Sequence, residues 1–310
     1  MQRRGKLFIS LVLALTLLSA CKKVKSDPEL EKLIKAIPDN CDYDIKYAMV
    51  KYGTCKNKET DKVSDWIKAN GMMKTLSTCA VLFNSEDSKT ASLAAHVLYR
   101  NVKDNLQGIA DAPQSLDTKI VELLMEGLKK NQTYFAFYGS QAIAKLATIK
   151  GIENKFYEII EAHPESVVKK EGYRYIMQFG RLKTFPKIKE LAGKDKDLKL
   201  VALSAPRNMY KYTQEEETQV CDWVQGFLQD SDEYVSAEAA KTLATRCKGK
   251  YIDEFLKEAE KRASEGKLKA PFSWALTSFT FSCKSFLGSP PTGTEEQCKK
   301  KEELKAKITK

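Results

Sequence analysis

Asp232-Glu-Tyr-Val235-Ser-Ala237-Glu-Ala239-Ala240-Lys-Thr-Leu243 decides the fold, because the chain writes nearly the same pattern twice. Its echo is Asp87-Ser88-Lys-Thr-Ala91-Ser-Leu93-Ala94-Ala95-His-Val-Leu98. In each, a polar turn led by aspartate opens a run whose apolar residues recur at helical spacing, with paired alanines and then leucine three positions on. Aspartate before such a run is a helix N-cap, and small residues at the contact let a second helix approach closely.

Looser copies extend the pattern outward. They read Gln141-Ala142-Ile143-Ala-Lys-Leu146, Tyr173-Arg-Tyr175-Ile176-Met-Gln-Phe179, Leu200-Val-Ala202-Leu203-Ser-Ala205 and Ser273-Trp274-Ala275-Leu276-Thr-Ser-Phe279, with a faint first copy at Lys46-Tyr-Ala48-Met49-Val50. Strand-like alternation is hard to find between them. An all-α chain repeating every 30–50 residues or so is what an α-α superhelix gives, each helical pair burying its face against the next. The stretch Leu228–Leu243 also resembles a HEAT repeat, whose second helix often opens with an aspartate-rich turn, a valine and paired alanines. That resemblance covers about residues 40–285 and implies a solenoid of six or seven helical hairpins with an extended binding surface. It implies no fixed chemistry: HEAT-like proteins include chromophore lyases and DNA glycosylases as well as scaffolds.

Upstream, the chain opens Met1-Gln-Arg-Arg-Gly-Lys6, followed by an apolar run from Leu7 to Leu18 and then Ser19-Ala20-Cys21. A basic head, an apolar core too short to span a bilayer and small residues before a cleavage point make a signal peptide over residues 1–20. Leu18-Ser19-Ala20-Cys21 resembles the bacterial lipobox. That resemblance implies cleavage before Cys21, a diacylglyceryl group and an N-acyl chain on it, and a membrane anchor in the cell envelope. Lys22 after the cysteine fits outer-membrane sorting better than inner-membrane retention. Residues 21–25 form a short tether, and Ser26-Asp27-Pro28-Glu29 has the shape of a capping box with proline in the first turn. The solenoid is expected over 26–288, followed by a charged C-terminal helix or tail over 289–310 that opens at Thr294-Glu-Glu-Gln297. A second capping box, Thr213-Gln-Glu-Glu216, opens a helix carrying Cys221, Trp223 and Phe227. Pro206 should end or kink the repeat helix it interrupts.

The formal charge of +11 favours acidic or phosphate-rich partners. Loss of Arg3, Arg4 and Lys6 with the signal leaves a basic excess. Export makes nucleic acid an unsuitable partner and leaves an envelope protein, or anionic lipid and lipopolysaccharide as the alternative. Eight cysteines suit an oxidising compartment. With Cys21 acylated an odd number remain, so at least one thiol stays outside intrachain pairing. Cys283 and Cys298 flank a turn between antiparallel helices, a favourable placement for a bridge. Cys221 and Cys247 flank the hairpin around Asp230 with unequal offsets. If residues 42–52 form one helix, Cys41 and Cys55 lie roughly 20 Å apart, beyond a bridge's reach.

Catalytic signatures are missing: there is no HExxH, GxSxG, CxxC or glycine-rich phosphate loop, and no cofactor motif. The two histidines read as a packed residue inside a repeat helix, His96, and a helix-end residue, His163. Glu215-Glu216-Glu217 and Asp230-Asp232-Glu233 sit at helix starts, where the dipole favours them. Tyr134-Phe135-Ala-Phe137-Tyr138 reads as core. The sequence therefore points to a non-catalytic, lipid-anchored scaffold with a protein partner.

Overall fold

Aspartate caps set the register of both copies of the repeated pattern. In this computed structural model, which describes residues 24–38, 58–130, 135–209, 212–277, 281–283 and 292–308, Asp87 accepts from the backbone N–H groups of Lys89 and Thr90, and Asp232 from those of Tyr234 and Val235. The helices they open run Ser88–Val97 and Glu233–Arg246. The described residues contain helices, turns and loops and no strand. Cys21, the signal and most of the tether, Cys41, Cys55 and the faint first repeat at Ala48 lie outside the described residues.

The chain divides into two compact units at Ala142/Ile143. The first contains α1 (Pro28–Lys35), α2 (Lys58–Asn70), α3 (Met72–Phe83), α4 (Ser88–Val97), α5 (Gln107–Asp111), α6 (Thr118–Lys130) and the start of α7 (Phe135–Lys150). Its core is built by α3 packing on α2, α4 and α6, with α1 laid across α2, α3 and α4. Helix α1 is capped by Asp27, which accepts from Glu29 and Leu30, and not by Ser26, whose hydroxyl donates to Glu31 instead. Phe83 is fully buried where α6 and α7 each present a glycine: a Cβ on Gly127 or Gly139 would stand 2.6 or 2.8 Å from the Phe83 ring. After α4 the backbone widens into a π turn, Leu98–Val102, where the Lys103 N–H reaches back to the Leu98 carbonyl.

The second unit is a run of helical pairs: α8 (Glu153–Ala162) with α9 (Ser166–Gly180), α10 (Phe185–Ala192) with α11 (Lys196–Ser204), α12 (Gln214–Gln225) with α13 (Glu233–Arg246), and α14 (Lys250–Ser264) with α15 (Trp274–Thr277). The second members form a continuous layer in which α9 packs on α11, α11 on α13 and α13 on α15. In the other layer α12 packs on α14, and α14 on the final helix α16 (Glu295–Ala306). Each helix thus touches those one or two places along the chain, which is the contact pattern of an α-solenoid. Ala202, Ala239, Ala240 and Ala275 are fully buried at these contacts, and Thr242 donates to the Leu203 carbonyl at 2.7 Å to tie α13 to α11.

Local expectations meet the structure in detail. Thr213 with Glu216, and Thr294 with Gln297, both form reciprocal capping boxes. Pro206 ends α11 at Ser204 and starts a 3₁₀ turn over Ala205–Asn208. The repeat copy around Tyr173 is out of phase: Tyr173 and Ile176 are buried, whereas Tyr175 is half-buried. Two cysteine pairs stand at disulfide distance, Cys221 with Cys247 and Cys283 with Cys298, their Cα atoms 6.0 and 5.8 Å apart. Cys79, inside α3, is a buried free thiol.

Candidate functional site

The layer of second helices in the second unit carries an outward stripe that is neither ordinary core nor ordinary solvated surface. On α13, Tyr234, Glu238, Lys241 and Thr245 recur at helical spacing on the side away from the buried alanines. Tyr234 is 56% exposed, and Trp274, which opens the neighbouring α15, is 46% exposed. These are the large hydrophobic side chains that stand out of the described surface. Each has a lysine ammonium over its ring: Lys196 lies 4.9 Å from the Tyr234 centroid and Lys241 5.1 Å from that of Trp274. On α9 the same layer carries Tyr175 beside Phe179, with Lys145 5.0 Å over the Phe179 ring.

Between the aromatics lies a knot of charge. Arg174 on α9 pairs with Glu171 at 2.6 Å. Arg207, from the 3₁₀ turn that Pro206 creates, pairs with Glu238 on α13, and Lys241 lies 3.4 Å from the same carboxylate. Arg246, at the end of α13, donates from Nε to the Arg207 carbonyl. Three consecutive repeats therefore bring one arginine each to one place. Burial pulls the Arg207 guanidinium below its ordinary range; Glu238 opposes that pull, and the positive charges of Arg174 and Arg246 add to it. Such an arrangement can accept anions and aromatic side chains; it offers no nucleophile paired with a base.

His96 lines a concave place in the first unit. It is buried on α4, and with Arg100, Asn101, Ser64, Asp61 and Thr60 it lines a cleft of about 170 Å³. Burial, assisted by the Arg100 charge, lowers the imidazole to about 4, so it is neutral at pH 7. Asn101 donates to Ser64 at 2.9 Å, and Ser64 to the Thr60 carbonyl at 3.1 Å. His163 is a helix-end residue whose Nδ1 accepts from the Glu165 N–H at 3.1 Å. Among the described residues no cluster of three or more histidine, cysteine or carboxylate side chains could hold a metal, and no helix is long and apolar enough to cross a membrane.

The cysteines singled out from sequence serve as staples, one of them ending beside Arg246. Cys221–Cys247 links α12 to the end of α13, and Cys283–Cys298 links the chain before the last turn to α16. Lys301 Nζ lies 3.4 Å from Cys283 Sγ. The arginine knot escaped sequence reading. Its one signal is that Arg174, Arg207 and Arg246 are about a repeat length apart, which matters only once the second helices are known to stack.

No protein-family model matches the chain, and no curated protein matches it. Among solved structures, it is similar to the archaeal HEAT-like repeats protein from Thermococcus onnurineus NA1, with 12% identity and a TM-score of 0.43 over 91% of this chain and 97% of that one. The all-α solenoid character rests on the helix pairing described above.

Proposed function

We propose that this protein is a non-catalytic scaffold of the bacterial cell envelope, held to the membrane by an acylated Cys21 and binding a protein partner through the second-helix face of its second unit. The observation that carries the reading is the pair of exposed aromatics, Tyr234 and Trp274, on a layer whose other large hydrophobic residues are buried or half-buried. Exposed aromatic anchors set among polar residues are the usual centres of protein interfaces. The lipobox resemblance at Leu18–Cys21 supports the anchor, and Asp27, which caps the first helix among the described residues, stands only a few residues beyond it. Two acyl-bearing groups on one cysteine give stable anchoring where a single chain would not.

Photo-crosslinking from position 277, one turn along α15 from Trp274 and exposed like it, tests the reading in intact cells. A discrete envelope protein should be captured by the otherwise native protein and lost in Cys21→Ala, which should also leave the membrane fraction. Trp274→Ala should weaken capture about tenfold or more while leaving the melting temperature nearly unchanged, as befits an exposed anchor. Crosslinks to lipid or lipopolysaccharide alone would refute the protein-partner reading in favour of surface binding.

One observation favours a second reading. The His96 cleft is polar and enclosed enough for a small ligand, so ligand handling is the alternative. It predicts that His96→Ala abolishes binding of a small molecule co-purifying with the protein; a protein stripped of nothing on denaturation would dismiss it.

A further inference from the structure

We propose that Cys283–Cys298 is a thiol–disulfide exchange site: an incoming dithiol attacks Cys298, and Cys283 departs as a thiolate held by the Lys301 ammonium. This stands independently of the membrane anchor and of the second-helix face. Lysine is almost never fully buried unless something answers its charge. Lys301, on α16, is only 6% exposed, and its Nζ donates to Cys283 Sγ at 3.4 Å. Glu302, the carboxylate beside it on the same helix, stands 3.8 Å away, is largely exposed and is held more closely by Lys305. The acids that α14 brings to α16 are taken by other side chains: Asp253 accepts from Gln297 and Glu260 from Lys300, each at 2.7 Å. The buried Phe281 ring, 5.3 Å from the ammonium, adds an apolar wall.

A disulfide sulfur is neutral and a weak acceptor, so it answers the ammonium poorly; a thiolate in the same place answers it with a full charge. Burial, with the Lys305 charge adding to it, holds Lys301 below the ordinary lysine range, and a thiolate beside it would draw it back up. The two bridges differ in this respect. Cys221 and Cys247 are buried, and among the described residues no side chain donates to either sulfur. Cys283 and Cys298 are half-buried, and one of them has a cation at hydrogen-bond distance.

In exchange, the thiol of lower pKa is the better leaving group, and an adjacent ammonium lowers that of Cys283. Cys298 lies in the first turns of α16, where the helix dipole also favours a thiolate, but Glu295 and Glu296 at the same end work against it. Cys283 is therefore the group that leaves and Cys298 the sulfur that is attacked. One thiol of the dithiol gives its proton to solvent and bonds to Cys298 Sγ as the Cys283–Cys298 bond breaks, its electron pair staying on Cys283. The second thiol then attacks the dithiol's sulfur in that mixed disulfide. This closes the reagent's own disulfide and releases Cys298, which takes up a proton. Two electrons pass from the dithiol to the protein, and an oxidised dithiol returns the bridge by the reverse steps.

Timed alkylation of the full chain in detergent micelles, with mass spectrometry reading each cysteine pair, tests the site. In reduced dithiothreitol Cys283–Cys298 should open at least about tenfold faster than Cys221–Cys247. Lys301→Met should slow that opening about tenfold and leave Cys221–Cys247 as it was, and Lys301→Arg, which keeps a cation, should restore most of the rate. A brief exposure to mercaptoethanol, quenched with acid, should leave its adduct on Cys298. In Cys298→Ser the lone Cys283 thiol, followed by thiolate absorbance, should titrate about one unit or more below the ordinary value of about 8.5, and return to it when Lys301→Met is added. If Cys298→Ser loosens residues 281–283, the exchange rates of the intact pair still decide. Fast opening that is indifferent to Lys301→Met would mean that exposure alone governs the bridge, and would overturn the proposal. Equal rates for the two bridges, an adduct on Cys283, or alkylation of both cysteines without reductant would overturn it as well.

Discussion

His96 and Glu161 give the two units separate sensitivities to acid. The His96 pKa falls from 6.5 to about 4 because burial penalises the imidazolium, with the Arg100 charge adding to it. The unfolded chain takes up this proton at a higher pH than the folded one. Stability therefore drops as pH falls from 6.5 toward 4, by up to about 3 kcal/mol. Denaturant unfolding across that window should lose its slope in His96→Gln. For Glu161, burial pushes the carboxyl up, but hydrogen bonds from Lys194, Tyr173 and Lys187 outweigh it and bring it from 4.5 down to about 2. Its contribution is present above 4.5 and is lost as pH falls toward 2. Because about a quarter of the side chain still meets water, which screens its ion pairs, Glu161→Gln should cost about 1 kcal/mol at pH 7 and almost nothing near pH 2; matched melts at the two pH values check it. His96 is legible in the sequence, between Ala95 and Leu98 on a capped helix. The Glu161 hub is not, since its partners come from α9, α10 and the turn after α10, and only packing brings them together.

Among the elements, the helices whose starts the sequence marks are the ones read best, because a cap is a local device. Asp87, Asp232, Thr213 and Thr294 each satisfy backbone N–H groups within three residues of themselves. The phase of the copy around Tyr173 was harder to read, since tyrosine can serve either face and its inward turn is settled by neighbours such as Tyr157, stacked 5.8 Å away. The π turn at Leu98–Val102 has no signature in its residue types. Close approach between elements makes a sharper prediction. Gly127→Ala and Gly139→Ala would each drive a methyl into the Phe83 ring, and Phe83 is fully buried with no room to swing clear. Each should destabilise the first unit by about 1–3 kcal/mol. Phe83→Leu, which frees space, should partly rescue Gly127→Ala in a double-mutant cycle read by thermal unfolding.

At the largest scale, the pairing of helices is legible from a repeat of about the right period, whereas the outward face of the second unit's second helices is not. Which residues of a stacked helix look outward depends on the phase of every neighbouring pair, and single arginines a repeat apart carry no mark of convergence until that phase is known. Nearest-neighbour packing also means that a covalent link acts locally. Breaking Cys221–Cys247, by reductant or as Cys221→Ser, should cost the second unit about 2–4 kcal/mol. Hydrogen exchange should quicken in α12 and α13 while the amides of α3 and α6 stay as they were. The same link has a mechanical meaning. A stack of helices pulled from its two ends yields pair by pair, but the 26-residue loop closed by Cys221 and Cys247 cannot pay out under load. At about 3.3–3.6 Å per residue, the chain with this one bridge closed is shorter at full stretch by roughly 80–90 Å than the chain with it open. A protein tethered at one end and loaded at the other would thus carry tension through a region of limited reach. Single-molecule stretching of Cys283→Ser, which keeps only this bridge, should record that missing length, and adding a reductant should release it in one step.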